Sequence, residues 1–102
     1  MFIDFKWFED FLSFAKNNNF SRAAGERHVT QSAFSRRIKA LELWIGVPLV
    51  DRSTYPTELT EEGKIFTKKA RDVVLMMHGI KNEFHEMRIK GEHTLHFTSL
   101  HT

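Results

Sequence analysis

The amino-acid sequence predicts a mainly helical fold, in which three short helices and a two-stranded hairpin precede one long helix. Three observations support this prediction. Apolar residues recur at helical spacing before Gly46. A turn-rich segment, Ser53–Pro56, separates two short strand-like runs. An apolar repeat of 3.5 residues then continues for three heptads. At 102 residues, the chain has room for one domain, which excludes a large multidomain enzyme.

The first two predicted helices are separated by a short polar run. Asp4 is the expected N-cap of the first helix, whose apolar residues share one face as far as Lys16. The asparagines at 17–19 end it. Ser21 is the expected N-cap of the second helix, which ends near His28.

The third predicted helix covers residues 31–45, with Thr30 as its N-cap and Gly46 at its end. At about 100° per residue, one narrow apolar stripe contains Phe34, Ile38, Leu41 and Ile45. The opposite face is polar and net basic, and it contains Ser32, Ser35, Arg36 and Lys39. This helix therefore has a core face and a face suited to an anionic partner.

The second half of the chain contains the hairpin and the long helix. Residues 49–52 and 57–59 predict the two strands, and Thr60 is the expected cap of a helix that continues to about Lys90. The 3.5-residue repeat on this helix, here called the seam, consists of Phe66, Ala70, Val73, Met77, Ile80, Phe84 and Met87. Such a seam packs against another helix along its length, and a second copy of the chain is the expected partner.

Positive charge is concentrated in one region of the chain. The formal net charge is only +2, from 15 Lys and Arg against 13 Asp and Glu. Between Arg22 and Lys39, however, five basic residues face one acidic residue, which gives +4. Two short helices joined by a tight turn, the second with an exposed basic face, match the helix-turn-helix arrangement that binds the DNA major groove. Arg52 in the following hairpin suits a wing that touches DNA. The alternative is a helical bundle whose basic face is merely solvated.

At these residues the sequence resembles the LysR-type bacterial transcription regulators, in their N-terminal winged helix-turn-helix domain. The resemblance covers roughly residues 5 to 90 and rests on four motifs: Phe20-Ser21-Arg22-Ala23-Ala24, the run from Val29 to Glu42, Gly46-Val47-Pro48-Leu49-Val50-Asp51-Arg52 and Leu59-Thr60-Glu61-Glu62-Gly63. It implies a homodimer formed by the long linker helices, with each third helix in a major groove of double-stranded DNA.

Candidate DNA contacts follow from the resemblance at the matching positions. They are Ser21, Arg22, Thr30, Gln31, Ser32, Ser35, Arg36, Arg37, Lys39, Arg52 and Ser53. Arg36 has the donors to bind guanine O6 and N7, and Gln31 the groups to bind adenine N6 and N7. Three positions depart from the family pattern: Arg27 stands where Leu is usual and is expected to present an extra cation, Ser32 replaces a frequent Pro, and Val50 replaces a common Phe.

The resemblance also divides the chain. Residues 1–60 are the expected DNA-binding domain and residues 61–90 the linker and dimerisation helix. Residues 91–102, with strand-like alternation at Leu95 and Phe97, are expected to begin an effector-binding domain absent from this chain, or to be a disordered tail. A small-molecule effector would bind only through that domain.

Several functions find no support in the sequence. No catalytic motif is visible, and no cofactor is expected. The absence of cysteine excludes thiolate zinc sites, and the histidines at 93, 96 and 101 lack a further ligand at suitable spacing. No apolar run approaches the roughly 18 residues of a membrane span, so a cytoplasmic protein is expected. The competing function is a helical dimerisation or adaptor module that does not bind DNA.

Overall fold

The computed structural model describes residues 3–94, and within them the chain forms four helices and one hairpin. The helices are α1 (Phe5–Asn17), α2 (Phe20–Glu26), α3 (Gln31–Ile45) and α4 (Glu61–Thr94), and the strands are β1 (Val50–Asp51) and β2 (Glu58–Leu59). The predicted mainly helical fold is confirmed. The chain divides into two compact units, one up to Asp72 and one from Val73 onwards.

Side-chain caps fix the starts of the first three helices. The Asp4 carboxylate accepts a hydrogen bond from the Lys6 backbone N–H at 2.9 Å, and the Thr30 hydroxyl accepts one from Ala33 at 3.1 Å. These two caps confirm the predicted starts of α1 and α3. The expected Ser21 cap is wrong: α2 begins at Phe20, because the Asn19 side chain accepts a hydrogen bond from the Arg22 N–H at 2.7 Å.

The hairpin is short and antiparallel, with Val50 opposite Leu59 and Asp51 opposite Glu58. Thr60 joins it to α4: its hydroxyl donates to the Pro48 carbonyl at 2.8 Å and accepts from the Gly63 N–H at 2.9 Å. The expected cap of α4 is therefore present. The helix is described as far as Thr94, four residues beyond the predicted end, and the strand-like alternation at Leu95 and Phe97 lies outside the described residues.

The core of the first unit lies between the helices and the base of the hairpin. Its fully buried large apolar side chains are Phe11, Phe14, Phe34, Ile38, Leu41 and Leu49. The predicted apolar stripe of α3 is thus confirmed except at Ile45, which is 37% exposed. At this end of α3, it is the Trp44 ring that reaches the other helices, 6.1 Å from the Phe8 ring.

Burial also corrects the predicted dimer seam at its first two positions. Phe66 is 6% exposed, and its ring centroid lies 5.2 Å from that of Phe11 and 5.5 Å from that of Phe8. Ala70 is completely buried. Both residues pack against the core of their own unit, because α4 begins by covering α1. They are therefore not available to a second copy of the chain.

Candidate nucleic-acid interface

The polar face of α3 is directed to solvent, as its helical spacing predicts. Gln31, Ser32, Arg36 and Lys39 are exposed, and Ser35 is half-buried. Thr30 is also exposed, but its hydroxyl caps the helix and lies 3.4 Å from that of Ser32. The buried residues Phe34, Ile38 and Leu41 hold the opposite face against the core. The face is consequently presented by a helix that is fixed on its other side.

Three cations in this region have no internal partner. Ser21 and Arg22, both exposed, lie in the first turn of α2, and Arg36 and Lys39 lie on α3. Within the described residues, the side chains of Arg22, Arg36 and Lys39 make no ion pair and no hydrogen bond. We call these three residues the free cations. Their charge is available to an external anion.

Two further arginines are held by a buried carboxylate on α1. Asp10 is completely buried, and its oxygens accept from Arg27 Nε at 2.7 Å and from Arg37 Nη1 at 3.2 Å. Glu9 is 3.4 Å from the Arg27 guanidinium. Burial alone would lower the pKa of Arg27, but the hydrogen bond and charge of Asp10 outweigh it and raise that pKa. This cluster fixes α1 to the end of α2 and to α3.

The Asp10 cluster changes the interpretation of both arginines. Arg27 was expected to present an extra cation, but its charge is neutralised inside the protein, so that expectation is wrong. Arg37, a candidate DNA contact, is half-buried and directed towards Asp10. The structure thus gives Arg37 an internal ion pair, and its contact with DNA stays a prediction.

A second carboxylate, Glu42 on α3, holds the base of the wing. Its carboxylate accepts hydrogen bonds from the backbone N–H groups of Leu49 at 2.7 Å and Val50 at 3.0 Å, and from the Arg52 guanidinium at 3.0 Å. The Arg52 guanidinium also lies 5.5 Å from the centre of the Phe20 ring. Arg52, the candidate wing contact, is therefore occupied at the base of the hairpin. The sequence did not reveal this role of Glu42, because no local pattern indicates which N–H groups bind its carboxylate.

The turn of the wing is held by its own side chains. The Ser53 hydroxyl and backbone N–H both donate to Asp51, at 2.5 and 2.9 Å, so Ser53 is exposed but already bonded. These two bonds lower the pKa of the Asp51 carboxyl. The tip then approaches the starts of α2 and α3: Tyr55, Ser21 and Gln31 line one cleft of about 270 Å³. The wing tip and both helix starts thus meet at one edge of the first unit.

Metal and membrane sites are not found in the described part of the chain. No three His, Asp or Glu side chains there are grouped as a metal site would require. The histidines at 96 and 101 lie outside it. None of its helices has the length and apolar character that crossing a membrane needs.

Comparison with known proteins identifies the family. The family described as bacterial regulatory helix-turn-helix protein, lysR family, matches residues 5–64, which is more than half of the chain. The chain belongs to the LysR family. Its matched region is the helix-turn-helix DNA-binding domain of that family, and it contains α1, α2, α3 and the wing. The resemblance seen in the sequence is confirmed.

Individual relatives agree with this assignment. The HTH-type transcriptional regulator YjiE of Escherichia coli (strain K12) is 51% identical over 72 residues, which are 71% of this chain and 24% of that protein. The crystal structure of VV2_1132, a LysR family transcriptional regulator, superposes with a TM-score of 0.79 at 54% identity, over 82% of this chain and 31% of that one. This LysR chain therefore spans about a quarter to a third of the length of these relatives.

A relative has also been solved with DNA. The structure of Vibrio fischeri DarR in complex with DNA gives a TM-score of 0.82 at 46% identity, over 86% of this chain and 30% of that chain. The CbnR_DBD–DNA complex gives 0.79 at 29% identity, over 84% of this chain and 99% of that one. The winged helix-turn-helix fold with a long final helix is thus shared with LysR domains that bind DNA.

Proposed function

We propose that this chain is the sequence-specific, double-stranded DNA-binding module of a bacterial LysR-type transcription regulator. One observation carries the proposal: the three free cations lie on and beside an exposed polar helix face, whereas nearby Arg27, Arg37 and Arg52 are neutralised internally. A basic face that is merely solvated would not require this separation of unpaired cations from paired ones. An enzymatic role has no support, since the relatives are transcriptional regulators.

Different residues carry different parts of the binding. Arg36, with its fork of donors, pairs with guanine O6 and N7, and Gln31 pairs with adenine N6 and N7. Arg22 and Lys39 bind phosphates, which fix the position of the domain without reading sequence. Ser32 and the half-buried Ser35 line the same face and complete the contact with base edges.

Dimerisation is proposed through the part of the seam that lies in the second unit. Val73, Met77, Ile80, Phe84 and Met87 are all exposed, with exposed fractions between 38% and 62%. Five apolar side chains at a repeat of 3.5 residues match the interface of two packed helices. We therefore keep residues 1–60 as the DNA-binding domain and residues 61–90 as the dimerisation helix. The proposed site of action is the cytoplasm, where bacterial DNA is located.

The salt dependence of duplex binding tests the proposal. With two or three phosphate contacts per protomer, log affinity against log salt concentration should fall with a slope of about −4 to −5 for a dimer. Lys39→Ala should make the slope shallower by about 1 per protomer. Lys68→Ala removes an exposed cation from α4 and should leave the slope unchanged. An adaptor that does not use DNA would show negligible affinity for every duplex tried.

A further inference from the structure

Within the described structure, the tip of the wing carries no cation. Its turn and second strand, residues 53–59, contain neither Lys nor Arg. Arg52 precedes the turn, but its guanidinium is bound to Glu42 at 3.0 Å and lies over the Phe20 ring. Any contact between the tip of the wing and the DNA backbone therefore involves an uncharged donor.

Tyr55 is the neutral group that the wing presents. Its side chain is 100% exposed, and within the described residues it makes no hydrogen bond and no ring contact. A tyrosine usually buries 150 to 250 Å² of its surface, and its hydroxyl usually finds a partner when it does. The whole Tyr55 side chain, including its hydroxyl, is therefore available to a partner outside its own chain.

The turn around Tyr55 is nevertheless ordered. Two hydrogen bonds from Ser53 to Asp51 fix one side of it. The Thr54 hydroxyl approaches the Asp51 carbonyl at 3.4 Å and the Pro56 carbonyl at 3.1 Å. A fixed backbone reduces the conformational entropy that Tyr55 would lose on binding a partner.

The position of Tyr55 identifies that partner. The cleft that it lines also contains Ser21 and Gln31, which lie at the starts of α2 and α3. Gln31 is the first residue of α3, and Ser21 adjoins Arg22, one of the free cations. A duplex bound by α3 would therefore pass close to this cleft.

We propose that the Tyr55 hydroxyl donates a hydrogen bond to a phosphate oxygen of the DNA backbone beside the segment read by α3. This inference rests on the proposed function. Tyrosine is among the residues that make such contacts. A neutral donor releases no counterion, so Tyr55 strengthens binding without steepening its salt dependence, unlike Arg22 or Lys39. The wing thus adds affinity but no sequence information.

Tyr55→Phe tests the inference, because it removes only the hydroxyl. The probe is a duplex selected by the unaltered chain from random sequences, together with one unrelated duplex. We expect affinity for both to fall by about three- to tenfold for each protomer in contact with the duplex, as for loss of one hydrogen bond, with the salt slope unchanged. The melting temperature should not move, since the hydroxyl has no partner among residues 3–94.

A second measurement reports proximity directly. With p-benzoylphenylalanine at position 55, irradiation should cross-link the chain to the DNA strand. The same group at position 65, where Ile65 is 61% exposed on α4, provides the control and should give little cross-linking.

The outcomes separate this inference from the proposed function. If Arg36→Ala weakens binding but Tyr55→Phe binds as tightly as the unaltered chain, the Tyr55 contact is overturned and the DNA-binding function stands. A salt slope that becomes shallower in Tyr55→Phe also overturns it, because the contact would then involve counterion release. If the unaltered chain binds no duplex, the proposed function itself fails.

Discussion

Basic residues that lie close together in the sequence differ in whether they are paired with a carboxylate in this structure. Arg36 is exposed without a partner, whereas its neighbour Arg37 is directed towards Asp10. The difference depends on carboxylates from other elements of the fold. Asp10, on α1, binds Arg37, and Glu42, on α3, binds Arg52 of the wing. The charge count of the sequence therefore overstates the positive charge that DNA would meet.

Asp10→Asn should destabilise the protein. It leaves two guanidinium groups beside a neutral amide, and breaking a buried ion pair costs about 3 to 5 kcal/mol. Because Arg27 and Arg37 remain 28% and 32% exposed, water can solvate them in part, and we expect a loss of about 2 to 4 kcal/mol. Urea denaturation measures it. Glu61→Gln, which removes an exposed pair with Lys64, is the control and should change stability by less than about 1 kcal/mol. Equal effects of the two variants would argue against a structural role for the buried carboxylate.

Glu26 should make the stability of the protein depend on acid pH. Its carboxylate is bound by Lys16 at 2.7 Å and by the Ser13 hydroxyl at 2.6 Å, and these contacts lower its pKa below the ordinary value of 4.5. A carboxyl whose pKa is lower in the folded state stabilises the protein above the ordinary pKa. That contribution is lost as the pH falls from about 4.5 through the folded-state pKa.

Glu26→Gln isolates this dependence. The free energy of unfolding of the variant, followed from pH 6 downwards by urea denaturation, should fall less steeply with acid than that of the unaltered chain. Asp51, whose pKa is also lowered, remains in both proteins and contributes equally to both. Identical slopes for the two proteins would show that the Glu26 contacts do not favour its charged form.

At the scale of elements, the join between the wing and α4 has the tightest packing constraint. A Cβ on Gly63 would lie 2.1 Å from the carbonyl oxygen of Leu49, a backbone atom that cannot rotate away. The Thr60 hydroxyl is hydrogen-bonded to both elements, to the Pro48 carbonyl before the wing and to the Gly63 N–H of α4. The wing and the first turn of α4 must therefore move apart if Gly63 acquires a side chain.

Gly63→Ala should destabilise the protein by about 1 to 3 kcal/mol, the usual cost of overpacking, and should weaken DNA binding through displacement of the wing. Gly25→Ala is the matched control. It also places alanine in a helix, but its Cβ would meet nothing within 4 Å. We expect Gly25→Ala to be neutral or to stabilise by roughly 0.5 to 1 kcal/mol, because alanine favours helix more than glycine does. Thermal or urea unfolding of both variants measures the two changes in stability. A Gly63→Ala chain as stable as Gly25→Ala would contradict the close contact.

What the sequence could predict depends on how local the determining interaction is. The bounds of α3 follow from Thr30, Gly46 and the spacing of the residues between them, and all were predicted. The start of α2 was not, since Asn19 and Ser21 are both capable caps and only the path of the chain selects Asn19. The burial of Phe66 was also missed: a 3.5-residue repeat shows that a helix face is covered but not by what.

The candidate site shows the same limit. The exposure of Ser32, Arg36 and Lys39 could be predicted from their helical angles in the sequence. The neutralisation of Arg37 and Arg52 could not, because their partners depend on how α1 and the wing pack against α3. Tyr55 was overlooked since a turn residue without charge or periodicity carries no signal in the sequence.

In the whole molecule, the proposed dimer uses the same face of α3 twice, once in each protomer. The apolar residues from Val73 to Met87 supply the proposed contact between protomers, and the free cations supply the contact with DNA. Two protomers would then bind half-sites separated by about one helical turn of DNA or a multiple of it.

The most direct test is selection of preferred duplexes from random sequence, performed in parallel with the unaltered chain, Arg36→Ala and Lys39→Ala. The unaltered chain should select two related half-sites. Arg36→Ala should lose its preference at one guanine in each half-site, by about 1 to 3 kcal/mol of discrimination, whereas Lys39→Ala should bind all sequences less tightly with its preferences intact. An Arg36→Ala chain that selects the same duplexes as the unaltered protein would contradict the claim that this face of α3 reads the bases.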